Sequence, residues 1–234
     1  MLKIENLTKT YGEKLAVDNL SLHIQKGEIY GFIGHNGAGK TTTLKASVGI
    51  LNFDSGEIFI NGISIKDEPI KCKEILAYIP DNPDLYEFLT GMQYLNFIAD
   101  VFKIDSKTRS ERIKNYAEKF EIYGNLGDII SSYSHGMKQK LAIISAWIHE
   151  PKLIIMDEPL VGLDPKAAHI LKQLMRETCD KGGAIFFSTH ILEVAEKLCD
   201  KVAIIREGKL IKSGTMEEVK GDESLEEVFL NSEN

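Results

Sequence analysis

A glycine-rich run, Gly34-His-Asn-Gly-Ala-Gly-Lys40-Thr41, constrains this chain more than any other segment. It fits the pattern G-x-x-x-x-G-K-[ST], in which the glycines let the backbone turn closely around phosphate groups. The lysine places a mobile positive charge against those phosphates, and the next hydroxyl is a ligand type that Mg²⁺ accepts. An apolar run at 28–33 precedes it and a helix-forming segment follows, so the sequence predicts a strand–loop–helix unit with an anion site at the helix N-terminus. A glycine-rich turn without a ligand is the alternative.

The composition is that of one large α/β domain. The chain has 234 residues, 43% of them hydrophobic, and a formal net charge of −7. This acidity argues against a general nucleic-acid binder, but not against ATP, which such a loop binds through local dipoles. Cys72, Cys179 and Cys199 form no C-x-x-C pair, so neither a zinc site nor a disulfide framework is expected, and a reducing cytosol is the default. The N-terminus does not resemble a signal peptide, and no stretch approaches the ~20 apolar residues of a membrane span.

Hydrophobic periodicity changes twice along the chain. Near-alternating apolar residues at 2–7 and 17–24, with a strand at 57–60 before an Asn-Gly turn, predict an N-terminal antiparallel β subdomain. From about Thr90 to about His149 the pattern is helical, starting with the capping box Thr90…Gln93. Strands alternate with helices again from Lys152, which predicts a mainly parallel sheet. We therefore expect an α/β core with the β subdomain over 1–85 and 150–215, an inserted helical subdomain over 86–149 and a helical tail over 216–234.

Acidic and imidazole side chains follow two of the predicted strands. Asp157 and Glu158 come directly after the apolar run 153–156, which is typical of a central parallel strand. In phosphate-loop enzymes an aspartate here helps to hold Mg²⁺, and the adjacent glutamate is placed to polarise a water against the terminal phosphate. His190 ends a later strand, at the edge where parallel sheets bind ligands. An ordinary acidic turn and a structural histidine are the alternatives.

The chain resembles the ATP-binding cassette (ABC) proteins, specifically their nucleotide-binding subunits, over nearly all of its length. Besides the motifs above, Ser134-His-Gly136-Met-Lys-Gln139 resembles the family's signature sequence, and Val161-Gly-Leu-Asp164 resembles its loop that contacts the opposite subunit. The resemblance implies a phosphate-loop NTPase (RecA-like) fold, with ATP and Mg²⁺ as cofactors. It also implies a head-to-tail dimer, in which each ATP lies between one subunit's phosphate loop and the other's signature helix.

The resemblance assigns roles position by position. It implies catalytic roles for Lys40, Glu158 and His190, and metal-ligand roles for Thr41, Asp81 and Asp157. It implies nucleotide contacts for a larger set, in which Tyr11 stacks on adenine and the signature residues serve the partner's nucleotide: Tyr11, Gly34, His35, Asn36, Gly37, Ala38, Gly39, Lys40, Thr41, Thr42, Ser134 and Gly136. A half-buried sheet aromatic remains the alternative for Tyr11, and a plain helix N-cap remains the alternative for Ser134 and Gly136.

Two positions depart from the family pattern. His135 stands where the signature usually has a glycine, which makes that turn less permissive and brings an imidazole near the incoming phosphates. Asp81 stands where the family usually has a glutamine that contacts Mg²⁺. A carboxylate is a suitable ligand for Mg²⁺, but it adds negative charge beside the terminal phosphate, so we expect hydrolysis to be slowed.

The predicted function is an ATP-binding and ATP-hydrolysing subunit of an ABC transporter. The expected partners are a second ABC subunit, identical or paralogous, and an integral membrane permease contacted near 82–94. No nucleic-acid partner is expected. The protein is expected to be cytoplasmic and peripheral on the inner face of the membrane. Residues 224–230 and 134–141 resemble the ATPases of bacterial drug or bacteriocin exporters. A soluble ABC ATPase with a regulatory or nucleic-acid-related role, and an ATP-binding regulator without turnover, are the alternatives.

Overall fold

The computed structural model describes residues 1–231, which form ten strands and nine α-helices. The strands are β1 (Leu2–Tyr11), β2 (Lys14–Ile24), β3 (Ile29–Ile33), β4 (Ser55–Ile60), β5 (Ile63–Ser64), β6 (Leu76–Ile79), β7 (Leu153–Met156), β8 (Ala184–Thr189), β9 (Lys201–Arg206) and β10 (Lys209–Thr215). The helices are α1 (Lys40–Ser47), α2 (Pro69–Glu74), α3 (Gly91–Val101), α4 (Ser106–Lys119), α5 (His135–Trp147), α6 (Pro165–Asp180), α7 (Leu192–Leu198), α8 (Met216–Lys220) and α9 (Leu225–Asn231).

A six-stranded sheet in the order β10-β9-β3-β8-β7-β6 forms the centre of the molecule. Neighbouring strands are parallel throughout, except that β10 runs antiparallel to β9 at one edge. The inner strands are buried on both faces, so consecutive residues face different halves of the core. Phe186 packs in the half that contains the antiparallel sheet, and Phe187 packs in the half that contains most of the helices. The mainly parallel sheet that the sequence predicts is confirmed.

The predicted antiparallel subdomain is a second, four-stranded sheet in the order β2-β1-β4-β5. The apolar residues of β2 are not strictly alternating, since three positions separate Val17 from Leu20. The pairing explains this spacing: Leu7 faces Leu20 and Lys9 faces Val17, so β2 has one more residue than β1 in that interval. Asn19 takes up the extra residue with a φ of 50°. This bulge keeps both apolar side chains on the buried face.

A two-residue hairpin joins the edge of the central sheet to the region around the glycine-rich run. Glu207 and Gly208 connect β9 to β10 with φ values of 48° and 80°, as a type I′ turn requires. The Gly208 N–H donates to the carbonyl of Ala38 at 2.9 Å, and its carbonyl accepts from the N–H of Asp18 at 2.9 Å. A Cβ at Gly208 would lie 2.9 Å from the Ala16 carbonyl oxygen. The hairpin tip therefore contacts both the glycine-rich run and the antiparallel sheet.

Three long helices, α3, α4 and α5, follow one another between residues 91 and 147. The predicted capping box is present: Thr90 accepts from the N–H of Gln93, whose side chain accepts from the N–H of Thr90. These helices share one hydrophobic cluster with the central sheet, so they pack onto the core rather than standing apart. At their base His149 stacks on Phe102 at 3.6 Å and donates from Nε2 to the Leu76 carbonyl, and burial lowers its pKa to about 4.

Several element bounds differ from the sequence-based ones. Helix α2 was not predicted, because its six residues are too few for a periodic pattern. Strand β10 continues to the end of the predicted core range, because its pairing with β9 extends to Thr215 opposite Lys201. Two short helices, α8 and α9, form the predicted tail up to residue 231, and residues 232–234 of that tail lie outside the described residues. The subdomain boundaries remain predictions. No helix within residues 1–231 is both long and apolar enough to span a bilayer.

We predict that Phe186→Ala lowers the free energy of unfolding by about 3–5 kcal/mol. The ring is completely buried in β8, and its centroid lies 5.4 Å from that of the Phe32 ring and 6.2 Å from that of the Tyr30 ring. Truncation therefore leaves a cavity in the centre of the sheet. Denaturant unfolding of the purified chain measures the effect. The matched control is Phe88→Ala, because that ring is 78% exposed. Equal stability losses in the two variants would contradict this description of the core.

Candidate functional site

The glycine-rich run forms a tight loop between β3 and α1. Gly37 and Gly39 have φ values of 83° and 109°, which L-residues with side chains rarely adopt. A Cβ at Gly39 would lie 2.5 Å from the Ala16 carbonyl oxygen, and one at Gly34 would lie 2.6 Å from the Ile205 carbonyl oxygen. The loop is therefore held against β2 and β9 at distances that only glycine permits. Its N–H groups precede the first turn of α1, where an anion is favoured.

Lys40 lies at the start of α1 and reaches back over the loop. Its Nζ donates to the carbonyl of Gly34 at 2.5 Å and to that of His35 at 3.3 Å, and lies 3.6 Å from Glu158 Oε1. The side chain is almost fully buried. An ammonium group makes stronger hydrogen bonds to phosphate oxygens than to neutral carbonyls. Lys40 is thus placed to exchange its carbonyl contacts for those of a bound phosphate.

Asp157 joins two strands and the loop through hydrogen bonds. It follows β7, and its Oδ2 accepts from the hydroxyl of Thr41 at 2.6 Å while its Oδ1 accepts from the hydroxyl of Ser188 at 2.5 Å. The hydroxyl and carboxylate oxygens at this point are the ligand types that suit Mg²⁺. Within residues 1–231 no cluster of three histidine, cysteine or acidic residues forms a metal site. A cation here would therefore need oxygens from a phosphate ligand as well, as phosphate-bound Mg²⁺ does.

Glu158 has an unusual backbone and an unusual side chain. Its φ is 46°, a conformation that costs free energy in a non-glycine residue and persists where the surroundings hold it. Its N–H donates to Ser188 Oγ at 3.0 Å. His190 Nδ1 lies 3.0 Å from Glu158 Oε1, but the contact is not aligned as a hydrogen bond, and among residues 1–231 neither carboxylate oxygen has a hydrogen-bond partner. The side chain is only 12% exposed and lines the cleft, and both of its carboxylate oxygens are buried acceptors without a hydrogen bond.

These groups line one cleft of about 240 Å³ at the carboxyl ends of the parallel strands. The structure brings together most of the residues that the sequence predicts, namely Tyr11, His35, Asn36, Gly37, Gly39, Lys40, Thr41, Thr42, Asp81, Asp157 and Glu158. His190 contacts Glu158 at the margin, and Gly34 holds Lys40 through its carbonyl. Ala38 is buried behind the loop, where its carbonyl accepts from Gly208.

Tyr11 is the last residue of β1 and lines the same cleft as Asp157. Its ring is about half exposed, and Lys9 Nζ lies 5.3 Å from the ring centroid. Asp54 holds Lys9 at 3.3 Å and accepts from both the N–H and the hydroxyl of Thr10 at 2.6 Å. An exposed aromatic ring on a fixed strand end is suited to stacking on a planar ligand.

Ser134 and Gly136 do not line the cleft. Ser134 is the N-cap of α5 and accepts from the N–H of Met137 at 3.3 Å. Gly136 lies against the backbone of Gly162, because a Cβ there would be 3.3 Å from the Gly162 carbonyl oxygen. The two predicted phosphate contacts of the signature sequence are therefore at a separate helix N-terminus from that of α1.

Three further residues at the site were missed by sequence analysis. Lys14 and Ala16 line the cleft from β2, and Ser188 holds both Asp157 and the backbone of Glu158. No short motif identifies Lys14 or Ala16. Ser188 could have been predicted from the sequence. Its hydroxyl lies at the carboxyl end of a buried strand, and the neighbouring strand ends in Asp-Glu, so few other polar partners are available to it.

Comparison with protein families identifies one model that matches most of the chain. The model described as "ABC transporter" matches residues 17–161. A second model, described as "AAA domain, putative AbiEii toxin, Type IV TA system", matches the shorter range 129–196.

Similar proteins occur in Bacillus subtilis. The uncharacterised ABC transporter ATP-binding protein YhcH is 36% identical over 96% of this chain and 73% of its own length. The ABC-type transporter ATP-binding protein EcsA is 34% identical over 98% of this chain and 95% of its own length. The linearmycin resistance ATP-binding protein LnrL is 36% identical over 92% of this chain and 69% of its own length.

Solved structures show the same fold. One described as the ATP-binding subunit of an ABC transporter superposes with a TM-score of 0.95 at 34% identity and covers 100% of both chains. The cbiO1 protein of Clostridium perfringens, described as part of the ABC transporter complex cbiONQ, superposes with a TM-score of 0.79 at 28% identity, over 98% of this chain and 94% of that one.

We predict that Ser188→Ala weakens Mg²⁺-dependent binding of an ATP analogue by about ten-fold or more. The variant leaves Asp157 Oδ1 and the N–H of Glu158 without the hydroxyl that orients them. Titration of the analogue at several Mg²⁺ concentrations measures the effect. Ser110→Ala, which removes an exposed hydroxyl of α4, is the matched control. Identical Mg²⁺ dependence in the two variants would contradict a positioning role for Ser188.

Proposed function

This chain belongs to the ABC transporter family as an ATP-binding, ATP-hydrolysing subunit, and we propose that it drives transport by closing on a second copy or paralogue around ATP and Mg²⁺. The observation that carries the proposal is the meeting of three elements at one end of the sheet. The glycine-rich loop after β3 and Asp157 and Glu158 after β7 line one cleft, and the buried Ser188 of β8 holds both acidic residues from behind it. The proposed positions of the terminal phosphate, the cation and the attacking water therefore lie next to one another.

Thr41 and Asp157 would hold the Mg²⁺ ion, and Asp81 lies at the same cleft as a further candidate ligand. When bound, the ion neutralises charge on the phosphate oxygens. Lys40 adds a second positive charge, and the loop N–H groups add oriented donors. Phosphoryl transfer to water depends on such positioning and neutralisation rather than on covalent chemistry.

Glu158 would accept the proton of the attacking water. Its side chain lines the cleft and its carboxylate oxygens accept no hydrogen bond from residues 1–231, which leaves them available to a general base or water-orienting role. The water oxygen bonds to the terminal phosphorus, the bond to the bridging oxygen breaks, and ADP and phosphate are released. His190, 3.0 Å from Glu158 Oε1, would hold the γ-phosphate and orient Glu158.

The second copy would complete the site. Ser134 and Gly136 are outside the cleft of their own chain, and the N-terminus of α5 presents N–H groups and a positive dipole end. In a head-to-tail dimer this helix end would meet the terminal phosphate that the partner's loop holds. Hydrolysis removes the charge that links the two subunits, so the dimer would then open.

A permease would contact the helical subdomain at an exposed aromatic patch. We define this patch as the exposed residues Tyr86, Phe88 and Phe97, in which the ring centroids of Phe88 and Phe97 lie 5.9 and 5.6 Å from that of Tyr86. The half-buried Tyr94 ring supports Tyr86 from α3 at a centroid distance of 6.2 Å. Clusters of exposed aromatic side chains mark protein interaction sites. Lys138 pairs with Glu87 between two patch residues, so the patch is tied to α5 and hence to the nucleotide of the partner. The protein would thus be cytoplasmic and attached to the inner face of the membrane through the permease.

The similarity to a linearmycin resistance protein supports a narrower proposal for the transported molecule. Together with the sequence patterns at 134–141 and 224–230, it favours a drug or bacteriocin exporter that pairs this subunit with a separate membrane subunit.

We predict that Lys40→Ala lowers ATP hydrolysis by about 10²–10³-fold, because one preorganised positive charge is lost from the phosphates.

Glu158→Gln keeps the shape of the side chain but removes the proton acceptor, so it should bind ATP, hydrolyse it at least about 10²-fold more slowly and accumulate as a dimer. Phosphate release and gel filtration with ATP and Mg²⁺ measure both effects. Normal hydrolysis by Lys40→Ala, or a monomeric Glu158→Gln protein, would overturn the proposed mechanism.

We predict that the double variant Phe88→Ser, Phe97→Ser no longer co-purifies from membranes with the proposed polytopic permease. The two substitutions remove apolar contact area without altering charge. Ile211→Ser, an exposed apolar residue on β10, is the matched control and should co-purify normally. Retained co-purification of the patch variant would place the permease contact elsewhere on the molecule.

A further inference from the structure

His135, the residue that replaces the usual glycine of the signature sequence, packs against Gly162. A Cβ added to Gly162 would lie 2.8 Å from His135 Cδ2 and 2.9 Å from His135 Nε2. Because no Cβ can approach a ring that closely, the imidazole occupies the space that a side chain at 162 would need. Gly162 also has a φ of 79°, a conformation that residues with a side chain rarely adopt.

A second contact holds α5 to the same loop, residues 161–164. Lys140 Nζ pairs with Asp164 Oδ2 at 2.7 Å, and the lysine side chain is only 14% exposed. This hydrogen bond, together with the N–H of Ala167, lowers the pKa of Asp164, which is the N-cap of α6. Residues four apart lie on one face of a helix, so Gly136 and Lys140 present the same face of α5 to the loop. The 161–164 loop is therefore fixed to α5 at both of its ends.

The same loop begins three residues after the general base. The N–H of Val161 donates to the carbonyl of Glu158 at 3.1 Å, which closes a tight turn between them. Glu158 has a φ of 46°, so its backbone conformation depends on contacts on either side of it. On one side this contact is Ser188, and on the other it is the turn that leads to Gly162. A shift of the loop would therefore move the Glu158 carboxylate relative to the cleft.

We infer that His135 is a positioning residue for hydrolysis: its ring sets the 161–164 loop, and through that loop the Glu158 carboxylate of its own chain. The inference rests on the proposed dimer, in which Ser134 and Gly136 of the same helix end serve the partner's nucleotide. One histidine then touches the helix end of one ATP site and the loop that shapes the other. A chain with glycine at 135 would lack the ring that makes this contact.

The test begins with His135→Ala, which removes the ring but keeps a good helix-forming residue. We expect kcat for ATP hydrolysis to fall by roughly two- to thirty-fold, with KM for ATP nearly unchanged and a lower Hill coefficient. His135→Gln, which keeps a flat polar side chain of similar reach, should restore most of the activity. His169→Ala on α6 is the matched control for loss of an exposed histidine. Unchanged kcat and Hill coefficient in His135→Ala would overturn the inference.

A double-variant cycle separates the contact from general loss of structure. Gly162→Ala suffers both the unfavourable φ and the clash with the ring, whereas only the φ strain remains in a His135→Ala background. The two substitutions should therefore be non-additive in kcat, with the smaller effect of Gly162→Ala when the ring is absent. Strict additivity would overturn the inference even if each variant is impaired. An unmodified protein with no ATP hydrolysis would instead refute the proposed function, so the two failures are distinguishable.

Discussion

Asp157 is the point at which the central sheet and the phosphate loop become one unit. Its two oxygens accept hydrogen bonds from Thr41, at the start of α1, and from Ser188, on the neighbouring strand β8. The carboxylate is nearly fully buried, and these two hydrogen bonds offset the free-energy cost of removing it from water. They also fix where the hydroxyl and carboxylate oxygens lie relative to one another. A cation bound beside Thr41 and Asp157 would therefore find these oxygens already in place.

The architecture of the sheet explains why the polar residues of the cleft lie at one edge. Strands β3, β7 and β8 are buried along their whole length, and apart from Tyr30 of β3 their only polar side chains are Ser188 and Thr189 at the end of β8. Being parallel, they end at the same edge. Loops that leave this edge can vary in sequence and conformation without disturbing the core. The positive φ of Glu158 is tolerated here because its own N–H is held by Ser188.

Sequence alone predicted the fold class, the order of the elements and most of the cleft, because those depend on local patterns. The glycine spacing determines the loop conformation, and the apolar run before Asp157 determines a buried strand. What could not be predicted depends on contacts distant along the chain. Ser188 matters because β8 lies beside β7, and His135 matters because α5 meets Gly162. The bulge at Asn19 and the short helix α2 escaped notice because neither produces a regular period.

The hairpin tip at Glu207 and Gly208 has a consequence for how a nucleotide is held. Gly208 bonds to Ala38 of the phosphate loop and to Asp18 of the antiparallel sheet, so it joins the two halves of the cleft. A base stacked on Tyr11 would rest on one sheet, and its phosphates would rest on the other. The spacing between these two supports is therefore set by a turn that is hydrogen-bonded both to the phosphate loop and to the antiparallel sheet. Because ADP and ATP share the base and the first two phosphates, this spacing would not by itself distinguish one nucleotide from the other.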